Sequence, residues 1–358
     1  MARIFNFGAG PAALPLSVLE KAQAEMIDFG GSGMSIMEMS HRSKTFDAVI
    51  KGAEASVRRI LGVSADYDVL FLQGGASMQF AMVPMNLLGA GQTADYVHSG
   101  AWAEKAIKEA KVIGNVNLAW DGKAANYMKM PAESELKLTP NAAYVHVTSN
   151  ETIGGVEYKK FPKTQVPLIA DMSSDIMSQA FDVKQFGLIY AGAQKNLGPS
   201  GVVLVIIRKD LAAKAANIPA FLKYSTHIKE PSLYNTPNTW GIYILKLVTE
   251  WVDSVGGLAK VQAINEEKAG LLYNTLDSSD YWKPCASKES RSIMNVTWRL
   301  PNEQLEEKFC KDAKAAGMDG LKGHRSVGGI RASIYNAVPK AAVEALVSFM
   351  KDFERKNG

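Results

Sequence analysis

The feature that most constrains this chain is an alternation along its middle, where each short apolar run is followed by a stretch with helical spacing. Residues 68–72 read as a strand ending at Gly74-Gly75, and 77–88 as the helix that follows. Residues 93–98 and 101–110 repeat the pairing. Residues 143–148, 166–170 and 188–191 are further strands, and 202–207 is an unbroken apolar one. Strands alternating with helices predict a mainly parallel sheet covered on both faces, because parallel neighbours need crossover connections. Ligands of such sheets gather beyond the carboxyl ends of the strands, so chemistry is sought just after each strand.

The pattern changes at Val255-Gly256-Gly257. Beyond it, 258–276 reads as a helix, 293–298 as a strand, 303–316 as a helix, 329–334 as a strand and 343–354 as a closing helix. Ahead of the sheet, 17–29 and 46–61 read as helices around a Gly/Ser/Met-rich loop, 30–43. With 358 residues, and domains commonly of roughly 100–200 residues, two domains are expected. One is a large domain over 16–255. The other is a smaller α+β domain over 256–358, with 1–15 packed on it.

Composition excludes several classes. Hydrophobic residues at 47 % and charged residues at 21 % describe neither a disordered nor a fibrous chain. A net charge of +4 without a dense Lys/Arg block suits small anions better than a nucleic-acid groove. Cys285 and Cys310 form no CxxC pair, so neither a disulfide framework nor a Cys-rich zinc site is expected, and no metal is assigned. That usage suits a reducing cytoplasm. Residues 1–15 lack a basic stretch followed by an apolar core, so no signal peptide is expected. No apolar run approaches the ~20 residues that would cross a membrane.

Lys195 is the sharpest chemical signal. It lies in Tyr-Ala-Gly-Ala-Gln-Lys-Asn-Leu-Gly-Pro-Ser-Gly, residues 190–201, between two apolar strands. A lysine there points from a strand end into the ligand crevice. Burial would lower its pKa and yield a neutral amine able to form a Schiff base. The alternative is a solvated turn lysine. Asp171 ends another apolar run, where a carboxylate could keep a pyridine nitrogen protonated or merely cap a helix. Gly74-Gly75-Ala76-Ser77 opens a helix and could receive a phosphate, as could an ordinary glycine turn with no ligand. Trp102 could stack on a flat ring or belong to the core. Thr148 to Thr152 could bond a ring hydroxyl or phosphate, or make a turn. His41-Arg42, His324-Arg325 and Arg331 suit carboxylate or phosphate, or simply solvent.

Taken in order, these segments resemble a known family. Asn6-Phe-Gly-Ala-Gly-Pro-Ala12, Met39-Ser-His-Arg-Ser43, Phe71-Leu-Gln-Gly-Gly-Ala-Ser77, Ala170-Asp-Met-Ser-Ser174, Gly192-Ala-Gln-Lys-Asn196, Tyr234-Asn-Thr-Pro-Asn-Thr239, Gly323-His-Arg325 and Gly329-Ile-Arg-Ala-Ser-Ile-Tyr-Asn336 are similar to the phosphoserine aminotransferase family. These are class V members of the fold-type I pyridoxal-phosphate enzymes. The match runs nearly end to end. It implies an α/β fold whose large domain holds a mainly parallel seven-stranded sheet, with a smaller α+β C-terminal domain. Lys195 is then the Schiff-base lysine, Asp171 the partner of the pyridine nitrogen and Trp102 the stacking residue. Thr152 lies near the ring hydroxyl, and Ala76, Ser77 and Gln194 are ligands of the cofactor phosphate. Asn238 and Thr239 resemble a pair reaching that phosphate from a second subunit, which implies a homodimer with shared sites. His41 and Arg42, also delivered across the interface, match binders of substrate carboxylate or phosphate. Arg331 matches a carboxylate binder, and His324 and Arg325 resemble receivers of substrate phosphate. Ser77 replaces an arginine found in some members, which places more of that task on His324 and Arg325.

The resemblance implies reversible amino transfer from glutamate to 3-phosphohydroxypyruvate by a ping-pong scheme, giving O-phosphoserine and 2-oxoglutarate. A phosphorylated hydroxythreonine of vitamin B6 synthesis is a second expected substrate. The alternatives are another class V aminotransferase of the alanine/serine-glyoxylate type, a cysteine desulfurase, and a nucleotide-binding α/β protein. The last lacks a GxGxxG fingerprint after the strand at 68–72.

Overall fold

The computed structural model describes residues 3–213 and 217–358; residues 1–2 of the expected 1–15 segment therefore lie outside the described residues. Seven strands build the main sheet: β1 (Tyr67–Leu72), β2 (Thr93–His98), β3 (Asn115–Asp121), β4 (Val145–Thr148), β5 (Leu168–Asp171), β6 (Leu188–Gly192) and β7 (Val203–Arg208). Their order across the sheet is β1-β7-β6-β5-β4-β2-β3. Adjacent strands from β6 through β3 run parallel, and β7 alone is antiparallel to its neighbours β1 and β6. This is the mainly parallel sheet implied above.

Period-two alternation sends the strands' apolar residues to two separate cores. Val69, Phe71, Val147, Ala170, Ala191, Leu204 and Ile206 face one. Leu70, Leu72, Tyr96, Ile169, Tyr190, Val203 and Val205 face the other. The first core is covered by the helices α1 (Leu16–Ala24), α2 (Lys44–Leu61) and α5 (Thr239–Ser254). The second is covered by α3 (Gly75–Leu87) and α4 (Ala101–Ile113). Local signals fix α2 clearly. Ser43 accepts the Phe46 N–H at 3.2 Å as N-cap. Phe46, Val49, Ile50, Ala53, Val57 and Leu61 form one buried stripe. Gly62 ends the helix with a left-handed φ of 66°.

Three of the longer elements depart from the sequence reading. Strand β3 was not expected. It is a half-exposed edge strand carrying Asn115 and Asn117, so its apolar signal is diluted. Helix α5 was not expected either; it is apolar over most of its circumference, which blurs helical periodicity. The first helix stops at Ala24 rather than 29. Beyond it, Gly30, Gly31 and Gly33 take positive φ, and Asp28 accepts the Gly33 N–H at 2.8 Å, which favours a loop.

A third core contains Phe7 and residues from 269 onward. It packs α6 (Gly257–Leu276), α7 (Glu303–Ala315) and α8 (Lys340–Asn357) on an antiparallel sheet of β8 (Lys283–Pro284), β9 (Asn295–Arg299) and β10 (Ile330–Ser333). The N-terminal segment joins this part through Phe5–Asn6, which pairs with Met318–Asp319. Among the described residues, no helix is long and apolar enough to cross a membrane.

Candidate active site

The sheet register brings three strand ends together: Thr148 on β4 lies beside Asp171 on β5, and Asp171 beside Tyr190 on β6. Residues 193–202 then join β6 to its antiparallel neighbour β7 as a hairpin connection, closed by Ala193 N–H donating to Val202 O at 2.9 Å. Lys195 is on this connection and only 7 % exposed. Its Nζ donates to Thr152 Oγ1 at 2.6 Å and lies 5.0 Å from the Trp102 ring centroid. Gly10 lets the backbone pass close, since a Cβ there would stand 3.3 Å from Lys195 Cγ. Desolvation pulls the amine down to about 8, against the opposing charges of Asp171 and Glu151. A solvated turn lysine is excluded by this burial.

Asp171 is buried, and burial raises its carboxyl. Both of its donors, the Ser173 N–H at 2.9 Å and hydroxyl at 2.6 Å, go to Oδ1. Among the described residues, Oδ2 accepts no hydrogen bond, so one oxygen remains unengaged.

Glu151 lies within the 148–152 segment, but the sequence reading looked there to hydroxyl and amide groups and not to its carboxylate. Its carboxylate accepts the backbone N–H groups of Trp102 at 3.1 Å and Ala103 at 2.9 Å, where α4 begins. It thereby ties Trp102 to the residue preceding Thr152. Gly100 is required there, because a Cβ would fall 2.6 Å from Glu151 Cδ. Desolvation pushes Glu151 up to about 7, while those two amides oppose the shift.

The first turn of α3 holds Ala76 and Ser77. Its N-cap is Gly74, at φ 80°, with no side-chain cap and no acidic residue in the first turn. Free N–H groups and the positive helix end there suit an anion. Gln194 lies against Gly192, next to the lysine. Arg331, on β10, donates from Nη1 to Thr152 O at 3.2 Å, and its Nε is buried without a partner. Arg331 and His324 line one cavity of about 490 Å3 together with Arg299 and Lys283. Arg325 is exposed and does not line that cavity. Desolvation, then the charges of Arg331 and Arg325, lower the His324 imidazole. His41 and Arg42 hydrogen-bond to none of these residues. Asn238 caps α5 by accepting the Gly241 N–H at 2.8 Å, and Thr239 donates to Ile36 O at 3.4 Å. The chain itself therefore groups 238–239 with the 30–43 loop that leads to His41.

Both thiols are raised by burial, Cys310 to about 11. A thiolate nucleophile is thus disfavoured at either position.

A model of the class-V aminotransferase family matches residues 4–346. The chain is 56 % identical to the phosphoserine aminotransferase of Niallia circulans, over 99 % of each chain. It superposes on the solved phosphoserine aminotransferase of Bacillus circulans subsp. alkalophilus with a TM-score of 0.98, at 56 % identity and 99 % coverage of both chains. A pyridoxal-phosphate-bound phosphoserine aminotransferase from Trichomonas vaginalis matches with a TM-score of 0.94, at 40 % identity, over 98 % of this chain and 100 % of that one.

The chain is a class-V aminotransferase.

As a class-V aminotransferase, it brings Lys195, Thr152, Asp171, Trp102 and Arg331 into one cleft. His324 stands on the wall of the adjoining cavity, while Arg42 and Arg325 are exposed and His41 is half-buried, its Nε2 buried without a partner. The nucleotide-binding alternative falls with the family, and the raised thiols disfavour the desulfurase.

Proposed function

We propose that this chain transfers an amino group between L-glutamate and 3-phosphohydroxypyruvate, with pyridoxal phosphate as cofactor. The products are O-phospho-L-serine and 2-oxoglutarate. The observation that carries the reading is a buried amine held low by desolvation, beside a buried carboxylate with one unengaged oxygen and beneath an indole.

The donor set fits the cofactor. The uncapped start of α3 suits its phosphate, and Asp171 Oδ2 suits a ring N–H. The Trp102 face suits the ring, with indole Nε1 buried and unpartnered. When bound, the cofactor supplies an aldehyde for an amine and a ring that draws electrons from the substrate α-carbon. The neutral fraction of Lys195 provides the amine. Thr152 Oγ1 holds Nζ in place. Once substrate has taken its place, Lys195 takes the proton from the substrate α-carbon as a general base. With Nη1 engaged by Thr152 O, the Nε and Nη2 edge of Arg331 offers a fork for a carboxylate. His324, whose imidazole is held toward the neutral form, offers a ring N–H to a phosphate from the cavity wall.

We also read the chain as two domains, 16–255 and 1–15 with 256–358, and as a cytoplasmic homodimer. Ile27, Met34 and Met37 are exposed in the loop leading to His41, which supports a covering partner. A second copy there would carry His41, Arg42, Asn238 and Thr239 toward a neighbouring cleft. The acceptor is extended to the phosphorylated keto acid of 4-phosphohydroxythreonine, which presents the same phosphate and carboxylate. Purified protein given glutamate and 3-phosphohydroxypyruvate should release 2-oxoglutarate faster than with glyoxylate. Faster turnover of glyoxylate would move the reading to the alanine/serine-glyoxylate type.

A further inference from the structure

The loop at 323–329, which carries His324 and Arg325, is built almost wholly from its own backbone. Gly323 N–H donates to Gly329 O at 2.8 Å, and the N–H groups of Val327 and Gly328 donate to His324 O at 3.0 and 2.8 Å. His324 Nδ1 lies 2.7 Å from Ser326 Oγ within the same loop. The neck is tight: a Cβ on Gly323 would meet Gly328 O at 2.0 Å. Such a loop keeps its shape but needs an external anchor to keep its place.

Among the described residues, two side chains outside the loop hydrogen-bond to it, and they are bonded to each other. Arg299, at the end of β9, donates from Nη1 to Val327 O at 3.0 Å. Its Nε donates to Glu306 Oε1 at 2.5 Å. Glu306, buried on α7, accepts the Gly329 N–H through Oε2 at 3.1 Å and the Leu300 N–H through Oε1 at 3.3 Å. The arginine side chain also packs on the loop's glycines: a Cβ on Gly329 would stand 2.6 Å from Arg299 Cδ. Arg299 lines the same cavity as His324 and Arg331.

We propose that Arg299 and Glu306 are positioning residues for the acceptor's phosphate, a clamp that fixes the 323–329 loop against the small-domain sheet so that His324 faces the cavity. This rests on the reading of the acceptor as a phosphorylated keto acid. Arg331 lies on β10 beyond the clamp, paired with Thr297 on β9, so binding of a carboxylate does not depend on it. Loss of the clamp therefore separates the two substrates. Recognition of the phosphate suffers and recognition of glutamate does not.

The test compares 3-phosphohydroxypyruvate with hydroxypyruvate as acceptor, using the holoenzyme, Arg299→Met and Glu306→Gln. The parent should strongly prefer the phosphorylated acceptor. Each variant should raise KM for 3-phosphohydroxypyruvate about tenfold, the scale of a lost hydrogen bond to a charged group. KM for hydroxypyruvate and for glutamate should stay within about twofold. Hydrogen exchange of the Gly329 amide should quicken in both variants. Variants that keep the parent's preference between the acceptors overturn the clamp, as do variants that lose affinity for glutamate and both acceptors alike. A parent with no preference for the phosphorylated acceptor overturns the substrate reading itself. If Arg299→Met does not fold, Glu306→Gln, nearly equal in volume, carries the same comparison.

Discussion

Two buried lysines, one in each part of the molecule, show that burial alone does not make an amine reactive. Lys268, on α6, is completely buried. Its Nζ donates to three carbonyls, Ile334 and Tyr335 at 2.8 Å and Val338 at 3.0 Å. Desolvation lowers it to about 7, yet three acceptors use all three N–H groups and favour the ammonium form. Lys195, lowered to about 8, has a single acceptor among the described residues in Thr152 Oγ1, which leaves two of its N–H groups unengaged. A lysine with every donor engaged holds the fold together. One with spare valence beside an indole and a carboxylate does chemistry.

The comparison can be broken most decisively at Lys195. Lys195→Ala should lower kcat by roughly 10⁴-fold, the upper range for a lost general base, with no loss of thermal stability. Parent-like turnover would end the catalytic assignment. Lys268→Met should do the reverse. It strands the buried carbonyls of Ile334 and Val338, while Tyr335 O keeps the Val338 N–H at 2.9 Å, and an unsatisfied buried acceptor costs roughly 1–3 kcal/mol. Denaturant titration should show about 2 kcal/mol lost or more, with kcat of the folded protein far less affected than in Lys195→Ala. Unchanged stability would mean that the carbonyls find other donors.

A pH series sharpens the same contrast. The folded value of Lys195, about 8, lies below the ordinary 10.5. Below pH 8 both folded and unfolded chains carry the proton, and burial of the charge costs stability in full. Between pH 8 and 10.5 only the unfolded chain retains it, so stability attributable to Lys195 rises with pH. Lys195→Met should therefore be more stable than the parent at pH 7.5, with the gap narrowing by pH 9.5, in paired thermal melts of the cofactor-free proteins. A constant gap would show that the amine is not depressed. The smallest effect belongs to Lys51, exposed and paired with Asp47 at 2.8 Å. Lys51→Ala should change stability by less than about 1 kcal/mol, and a larger loss would show that exposure is a poor guide here.

How much of this was legible depends on where each residue's partners lie. Lys195 and Asp171 could be read because each ends or follows an apolar strand, and strand ends are where such sheets bind ligands. The strands of the sheet interior were legible for the same reason, whereas β3 hid behind its exposed asparagines. The part played by the Glu151 carboxylate was invisible because its partners are backbone amides some fifty residues away, and amides leave no trace in a sequence pattern. Arg299 and Glu306 were invisible because their partners are the backbone of a loop. Arg325 drew notice by its charge, but the fold turns it outward.

The hairpin that carries Lys195 has one more consequence. Connections in a parallel sheet ordinarily wander through a helix, but this one leaves β6 and returns directly on β7, fastened on both sides. Its backbone has almost nowhere to travel. Reach must then come from the lysine's own four methylenes, a short swinging arm on a fixed post, so the distance over which a proton can be carried is set by side-chain length and not by loop motion.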